Sequence, residues 1–470
     1  MTTAIERASL RLERALGPSK VLTDRAACEP YSRDESEAVG VTPPCVVLAS
    51  ETRDVTAALA ICEEERVAIV PRAGATGRSG GAVPLGPSVV IDTVGLTGVI
   101  DIDRDNLTAR VRPGARTGEF QSLVEAEGLF FPPDPQSAEW CCLGGNVAEN
   151  AGGPRAFKYG VTREYTLGVE AALMGGELVR AGRRTPKGVA GYDVTALLVG
   201  SEGTLAVFTE LTLRLVAKPT EVRTLVAGFS SVTDAGRAVA RIVASGATPR
   251  CVELLDEVCC DVMREGDAAG LPHGARAVLV IECDGHHPAA VDHELARVAD
   301  ACDEAGATSL TSAKSEGERE ALWRVRKVMS RSLRARAKYK LSEDVVVPRT
   351  EVAALLDTVR VISERERIVM PAYGHAGDGN LHVNTLWNDD SERPAVDRAI
   401  ESLLRATLDL GGTITGEHGI GVMKAPYLPW EQSPQLIALQ ERIKRAFDPH
   451  GLLNPGKIFT PGGPVSHRAC

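Results

Sequence analysis

The chain has 470 residues, 44% hydrophobic and 25% charged, and its 53 basic and 63 acidic side chains leave a formal net charge of −10. That length implies two or three domains, and the composition is that of a globular protein without an apolar run near the roughly 20 residues of a membrane span. The negative balance argues against nucleic-acid partners, so any anionic substrate must find its positive charge locally.

The start, Met1-Thr2-Thr3-Ala4-Ile5-Glu6-Arg7, lacks the apolar core of a secretory signal, so a cytoplasmic location is expected. Residues 1–39 read as a polar helical arm. A strand at Val46–Leu48, a helix with Val55, Ala58, Leu59, Ile61 and Cys62 on one face, and a strand at Val67–Val70 then form a β-α-β unit. It runs into Pro71-Arg72-Ala73-Gly74-Ala75-Thr76-Gly77-Arg78-Ser79-Gly80-Gly81, whose four glycines expose backbone N–H groups suited to a phosphate or pyrophosphate. The loop is neither G-x-G-x-x-G nor a Walker A loop, which disfavours an NAD dehydrogenase or a P-loop ATPase. Strands at Val89–Ile91, Val99–Ile102 and Leu107–Val111 and a helix over Thr117–Glu127 follow. Pro132–Gln136 and Leu143–Gly153 read as a long stretch of small residues that lets backbone approach a large planar ligand. Strands at Leu167–Met174 and Leu205–Leu215 flank the tight turn Gly200–Thr204.

At Lys218-Pro219 the composition changes. Helices over Val232–Ser245, into Met263 and over Pro288–Ala305 alternate with strands at Cys251–Leu255 and Ala277–Glu282, which predicts an antiparallel sheet with helices on one face. A basic helix over Glu316–Ala337 opens a run free of acidic residues: Arg324, Arg326, Lys327, Arg331, Arg334, Arg336, Lys338 and Lys340. It is a candidate anion site, with most of its members expected on the surface. None of the eleven cysteines forms a C-x-x-C pair, so they are expected to be reduced, buried and small. Phe447–Phe459 reads as turns, and residues 461–470 as a loose tail.

The chemistry concentrates in His375-Ala376-Gly377-Asp378-Gly379-Asn380-Leu381-His382 and Gly416-Glu417-His418-Gly419. Gly-Asp-Gly-Asn is hairpin-turn chemistry, and flanking strands would let both imidazoles converge. Two imidazoles and a carboxylate suit zinc or another divalent first-row metal, with positions left open for substrate and one base to spare.

Together with the Pro71–Gly81 loop, Gly144-Gly145-Asn146 through Gly152-Gly153, Tyr159–Arg163, Gly200–Leu205 and Asn454-Pro455-Gly456-Lys457, these motifs resemble FAD-dependent 2-hydroxyacid dehydrogenases of the vanillyl-alcohol-oxidase type. Glycolate oxidase, D-lactate dehydrogenase and D-2-hydroxyglutarate dehydrogenase flavoproteins belong to that family, and the resemblance covers about residues 40–460. It implies an α+β protein with a two-part FAD-binding domain (40–217), an α+β, ferredoxin-like cap (218–412) and a C-terminal segment returning to the FAD domain (413–460).

FAD would contact Arg72, Ala73, Gly74, Ala75, Thr76, Gly77, Ser79 and Gly80 at its pyrophosphate, and Cys141, Gly144, Gly145, Asn150, Gly203 and Val207 elsewhere. The isoalloxazine would sit at the domain boundary. The resemblance further implies His375, His382 and Glu417 as metal ligands, His418 as base and Arg326 as the substrate-carboxylate binder. Hydride would pass from a small 2-hydroxy acid to flavin N5, and electrons onward to a quinone, an electron-transfer flavoprotein or an iron–sulfur subunit, which could place the protein peripherally at a membrane.

Two departures stand out: Ala73-Gly74-Ala75 where relatives often carry three glycines, and Arg78 in place of an apolar residue. The lysine and threonine of the hydroxyglutarate enzymes lack a clear counterpart, Ser330 and Ser342 falling nearest. All nine histidines lie at or after residue 273, so FAD is expected to be non-covalent. A metal-dependent hydrolase using the same His/His/Glu set, and a flavin subunit inactive without partner chains, are the alternatives; a homodimer stays open.

Overall fold

The computed structural model describes residues 3–265, 271–313 and 315–459, which leaves the expected 461–470 tail outside the described residues. Two compact units emerge, one of residues 1–151, 161–218 and 417–470, the other of 152–160 and 219–416.

In the first unit, Ala4–Leu16 is a helix opened by a Thr3/Glu6 capping box, with Ala8 and Leu12 buried one turn apart. The stretch after it is largely irregular, with a short strand, Val21–Leu22, pairing antiparallel to Val46–Val47. Cys45–Leu48, Ser88–Asp92 and Ala68–Arg72 complete a four-stranded sheet whose last three strands are parallel. Helix Thr52–Glu64 buries Val55, Ala58, Leu59 and Cys62, a 3.6-residue stripe, in the core with Val47, Ile69, Val89 and Ile91. A second, antiparallel sheet runs in the order Val99–Asp103, Thr108–Val111, Val207–Arg214, Thr166–Ala172, Leu178–Gly182.

Leu143–Glu149 is an α-helix, an element that the sequence reading did not assign within this stretch of small residues. Its glycines weaken the helical signal yet serve packing, since a Cβ on Gly144 would stand 2.5 Å from Pro113 Cβ. Asn150, left-handed at φ 57°, caps the end. The C-terminal segment is stitched into this unit. Asn454 Nδ2 donates to Gly81 O (3.0 Å) and Glu202 O (2.8 Å), and the Lys457 ammonium to Val83 O (2.7 Å). Helix Pro434–Phe447 precedes those turns.

The second unit holds a seven-stranded antiparallel sheet in the order Ser309–Ser312, Glu221–Phe229, Ala277–Gly285, Cys251–Leu255, Ala372–His375, Asn380–Trp387, Tyr339–Val346. Helices lie on more than the one face expected. Val232–Ala244 packs against Pro288–Glu304 and Val352–Glu366, close enough that a Cβ on Gly236 would meet Ala353 Cα at 2.8 Å. Glu257–Glu265 and Glu316–Arg334 instead bury Cys259, Met263, Met329 and Leu333 with Val226, Leu255, Val278 and Val280. The excursion 152–160 is tied to the sheet through Lys158 Nζ–Asp284 Oδ1 (2.6 Å) and Tyr159 Oη–Asp284 Oδ2 (2.8 Å). The ten described cysteines are free and buried. No described helix is long and apolar enough to cross a membrane.

Candidate active site

The hairpin that the turn residues require is present: strand Ala372–His375, a 3-10 turn at Ala376–Asp378, Gly379 at φ 77°, then strand Asn380–Trp387. A Cβ on Gly379 would lie 1.9 Å from Val347 O, so glycine is needed there for space as well as for φ. Cross-strand register decides what surrounds each imidazole. His375 pairs with Asn380 on one side and Glu253 on the other; His382 pairs with Tyr373 and with Asp344. Each histidine thus has a fully buried carboxylate opposite it on the next strand.

The His375 and His382 rings stand edge to face with centroids 5.4 Å apart, and both side chains are nearly buried. Glu253 Oε1 lies 2.5 Å from His375 Nδ1 and its Oε2 accepts from Arg326 Nε at 2.5 Å. Burial pushes the Glu253 carboxyl up, but the Arg326 and His375 charges outweigh it and hold it down at about 2. Arg326 also lies over the Tyr373 ring, 4.7 Å from its centroid. Asp344 Oδ1 accepts from Asn380 Nδ2 (2.6 Å) and lies 3.8 Å from His382 Nδ1. Its Oδ2 accepts from the Thr415 hydroxyl (3.1 Å) and Gly416 N (2.7 Å). Asp344 therefore backs one histidine and anchors the irregular segment that leads into Glu417.

His375, His382 and Glu417, the residue that follows Gly416, offer ligand atoms within 4.8 Å of one another. Ligand atoms around a tetrahedral zinc stand roughly 3.4 Å apart, so small side-chain rotations would close the set. With Nδ1 of His375 turned to a carboxylate, Nε2 is the nitrogen left for a cation. The donor set fits a divalent metal. His418, next in sequence, is partly buried. Of the basic run, Arg326 and Lys340 are buried, Lys340 Nζ 2.9 Å from Ser330 Oγ, whereas Arg331, Arg334, Arg336 and Lys338 are exposed. The side chains of Arg324 and Lys327 lie outside the described residues.

In the first unit, Arg72, Ala73, Gly74 and Ala75 line a cavity of 540 Å³ with Tyr31, Asp92, Arg116, Trp140 and Cys142, a volume typical of ligand sites. A Cβ on Gly74 would stand 2.7 Å from Trp140 O, and Ala75 adopts φ 52°. Ser79 Oγ is buried and, among the described residues, has no hydrogen-bond partner. The glycine-built cradle fits a bound pyrophosphate; Ser79 is not among the residues that line it and sits instead against Gly81 and Gly421. The Arg72 side chain turns away from this role: its Nη1 donates to Arg33 O (2.6 Å), and it stacks over Tyr31.

Of the other expected cofactor contacts, Cys141, Gly145 and Gly203 border the Pro71–Gly74 stretch, a Cβ on Gly74 standing 3.2 Å from Cys141 Cα, whereas Asn150 and Val207 make other contacts. Cys141 Sγ donates to Thr117 Oγ1 (3.3 Å), Asn150 Oδ1 accepts from Arg163 N (2.9 Å), and Val207 lies in the core. Gly203, at φ 66°, faces the Pro71 ring, and a Cβ on Gly145 would meet Ala73 Cβ at 3.6 Å. Thr76, Gly77 and Gly80 continue the loop.

Sequence reasoning missed Glu253 and Asp344. A glutamate inside the otherwise apolar strand Cys251-Val252-Glu253-Leu254-Leu255 is the available signal, because charged groups are rarely fully buried without partners.

Two family descriptions match the chain: "FAD binding domain" over residues 43–182 and "FAD linked oxidases, C-terminal domain" over residues 218–458. The glycolate oxidase subunit GlcD of Bacillus subtilis strain 168 is 38% identical over 451 residues, 96% of each chain. The D-lactate dehydrogenase of Anaerostipes hadrus is 31% identical, covering 95% of this chain and 96% of its own. Among solved structures, p-cresol methylhydroxylase with substrate bound aligns over 97% of both chains with a TM-score of 0.82 at 16% identity, a likeness of fold.

Proposed function

Because this chain belongs to the FAD-linked oxidases, with a fold of the vanillyl-alcohol-oxidase type, we propose that it oxidises a small 2-hydroxy acid, of the glycolate or D-lactate kind, to the 2-oxo acid. The observation that carries the substrate class is the single buried carboxylate of Glu253, which touches His375 with one oxygen and Arg326 with the other. A prospective cation holder and a buried guanidinium are thereby held side by side, a pairing suited to the adjacent hydroxyl and carboxylate of a 2-hydroxy acid.

Non-covalent FAD would be held by the Arg72–Gly80 loop with Gly144 and Gly145, and a divalent cation, zinc first, by His375, His382 and Glu417. When bound, the flavin supplies a two-electron acceptor and the cation a Lewis acid that eases loss of the hydroxyl proton. Arg326 carries five N–H donors, of which Nε serves Glu253; the guanidinium edge orients the substrate carboxylate. His418 takes the hydroxyl proton on its imidazole, a contribution of about 10²–10⁴ in rate. Electrons then leave to a separate acceptor (a quinone, an electron-transfer flavoprotein or an iron–sulfur chain), in keeping with the Bacillus relative's name as a subunit.

Anaerobic titration of the purified flavoprotein with D- and L-2-hydroxy acids, with and without chelator, tests the reading. Bleaching of the flavin bands by one enantiomer of a small 2-hydroxy acid, lost with chelator and restored by metal, is the expected result. A metal-replete flavoprotein that no 2-hydroxy acid bleaches would refute it.

A further inference from the structure

We propose that Glu253 is a positioning residue that links the two halves of the substrate site, so that cation affinity at His375 depends on the charge at Arg326. This rests on the proposed function for the meaning of the two halves, but the link itself is readable from the sheet. Glu253 sits in the fourth strand of seven, with its neighbours Ala277–Gly285 and Ala372–His375 paired on both sides. It is completely buried, so water cannot replace either partner. Its two oxygens are divided between them: Oε1 to His375 Nδ1, Oε2 to Arg326 Nε, each at 2.5 Å.

Three consequences follow. The carboxylate fixes the imidazole orientation and keeps the proton on Nδ1, presenting Nε2 to a cation. It also fixes the guanidinium plane, which Tyr373 supports from one face. Finally, as the only charge touching both groups among the contacts described, it sets their electrostatic balance. Removing its negative charge must weaken a cation at His375, whereas removing the positive charge of Arg326 must strengthen it. In a low-dielectric site such terms stay large because solvent does not screen them.

That opposition of sign separates a positioning role from a merely structural one, in which either substitution loosens the site and both weaken the cation. The experiment uses FAD-loaded, metal-stripped protein and measures Zn²⁺ affinity by competition with a chromophoric chelator for wild type, Glu253→Gln and Arg326→Met. Affinity is expected to fall about 10- to 100-fold in Glu253→Gln and to rise about tenfold in Arg326→Met. In steady state at saturating Zn²⁺, Glu253→Gln should raise KM for the hydroxy acid proportionally more than it lowers kcat, because Arg326 loses its alignment. Zn²⁺ affinity unchanged within threefold in Glu253→Gln, or weakened in both variants, overturns the proposal. Should Glu253→Gln fail to retain FAD, Arg326→Met decides alone: tighter Zn²⁺ binding supports the link, and unchanged or weaker binding overturns it. These affinities need no turnover, so they stand whether or not a 2-hydroxy acid bleaches the wild-type flavin.

Discussion

Glu149 and Glu202 form a buried acidic pair in the first unit, and Glu149→Gln is a sharp probe of it. A Cβ on Gly419 would stand 2.4 Å from Glu149 Oε2 and 3.0 Å from Glu202 Oε1, so the two carboxyls face one point. Glu202 accepts from Ile420 N (2.8 Å) and Gly421 N (2.6 Å), whereas Glu149 Oε2 is buried with no described partner. Burial, and then the neighbouring Glu202 charge, push the Glu149 carboxyl well above the usual range. Burial likewise raises Glu202 to about 7 against the backbone N–H donors and Lys457 that oppose it.

Two like charges at a separation on the order of 5 Å repel by about 3 kcal/mol at an effective dielectric of 20; the rise of Glu202 to about 7 comes from its burial. The sign follows from proton linkage. The folded state holds a proton that the unfolded chain releases near pH 4.5, so stability is full below that pH and is lost as pH rises through about 7. Glu149, pushed up by burial first and by the Glu202 charge second, likewise holds a proton that the unfolded chain releases; Glu149→Gln needs none, so the variant should be close to wild type at pH 5 and exceed it by about 2–3 kcal/mol at pH 8. Thermal melts at fixed FAD concentration read this as a Tm difference near zero at pH 5 and about 5 °C at pH 8. An equal shift at both pH values, or a variant less stable at pH 8, would refute the paired-carboxylate account.

Other expectations are equally direct. Gly144→Ala places a Cβ 2.5 Å from Pro113 Cβ, a clash worth about 1–3 kcal/mol; the flavin-to-protein absorbance ratio should drop, while Gly86→Ala, outside the flavin loop and with nothing within 4 Å, keeps it. Lys158→Met leaves the buried Asp284 without its closest cation and should cost about 2 kcal/mol in chemical unfolding. Asp284→Asn should give less than an additive further loss when combined with it. His418→Ala should slow anaerobic flavin reduction by about 10²–10⁴ while bound metal is retained; near-normal reduction would remove His418 as the base.

Much was legible locally. Alternating and 3.6-residue apolar patterns located most strands and helices, and the Gly-Asp-Gly-Asn turn announced the hairpin because its φ requirements are met within a few residues. Helix Leu143–Glu149 was hidden because Gly144 answers to Pro113 across the packing, while local propensity speaks against both of its glycines. The antiparallel strand Glu221–Phe229 passed unnoticed for a related reason: it is apolar on both faces over most of its length, so it shows no alternation.

The residues of the candidate metal set carry their own chemistry, and order along the chain was enough to single them out. What lies behind them was a tertiary decision. Glu253 reaches His375 across 122 positions of sequence and Arg326 across 73. Only strand register brings the three together, because a slip of one residue would turn Glu253 to the opposite face of the sheet. Side-chain type and turn geometry are properties of a short window of sequence; a buried carboxylate's partners exist only once distant strands have paired.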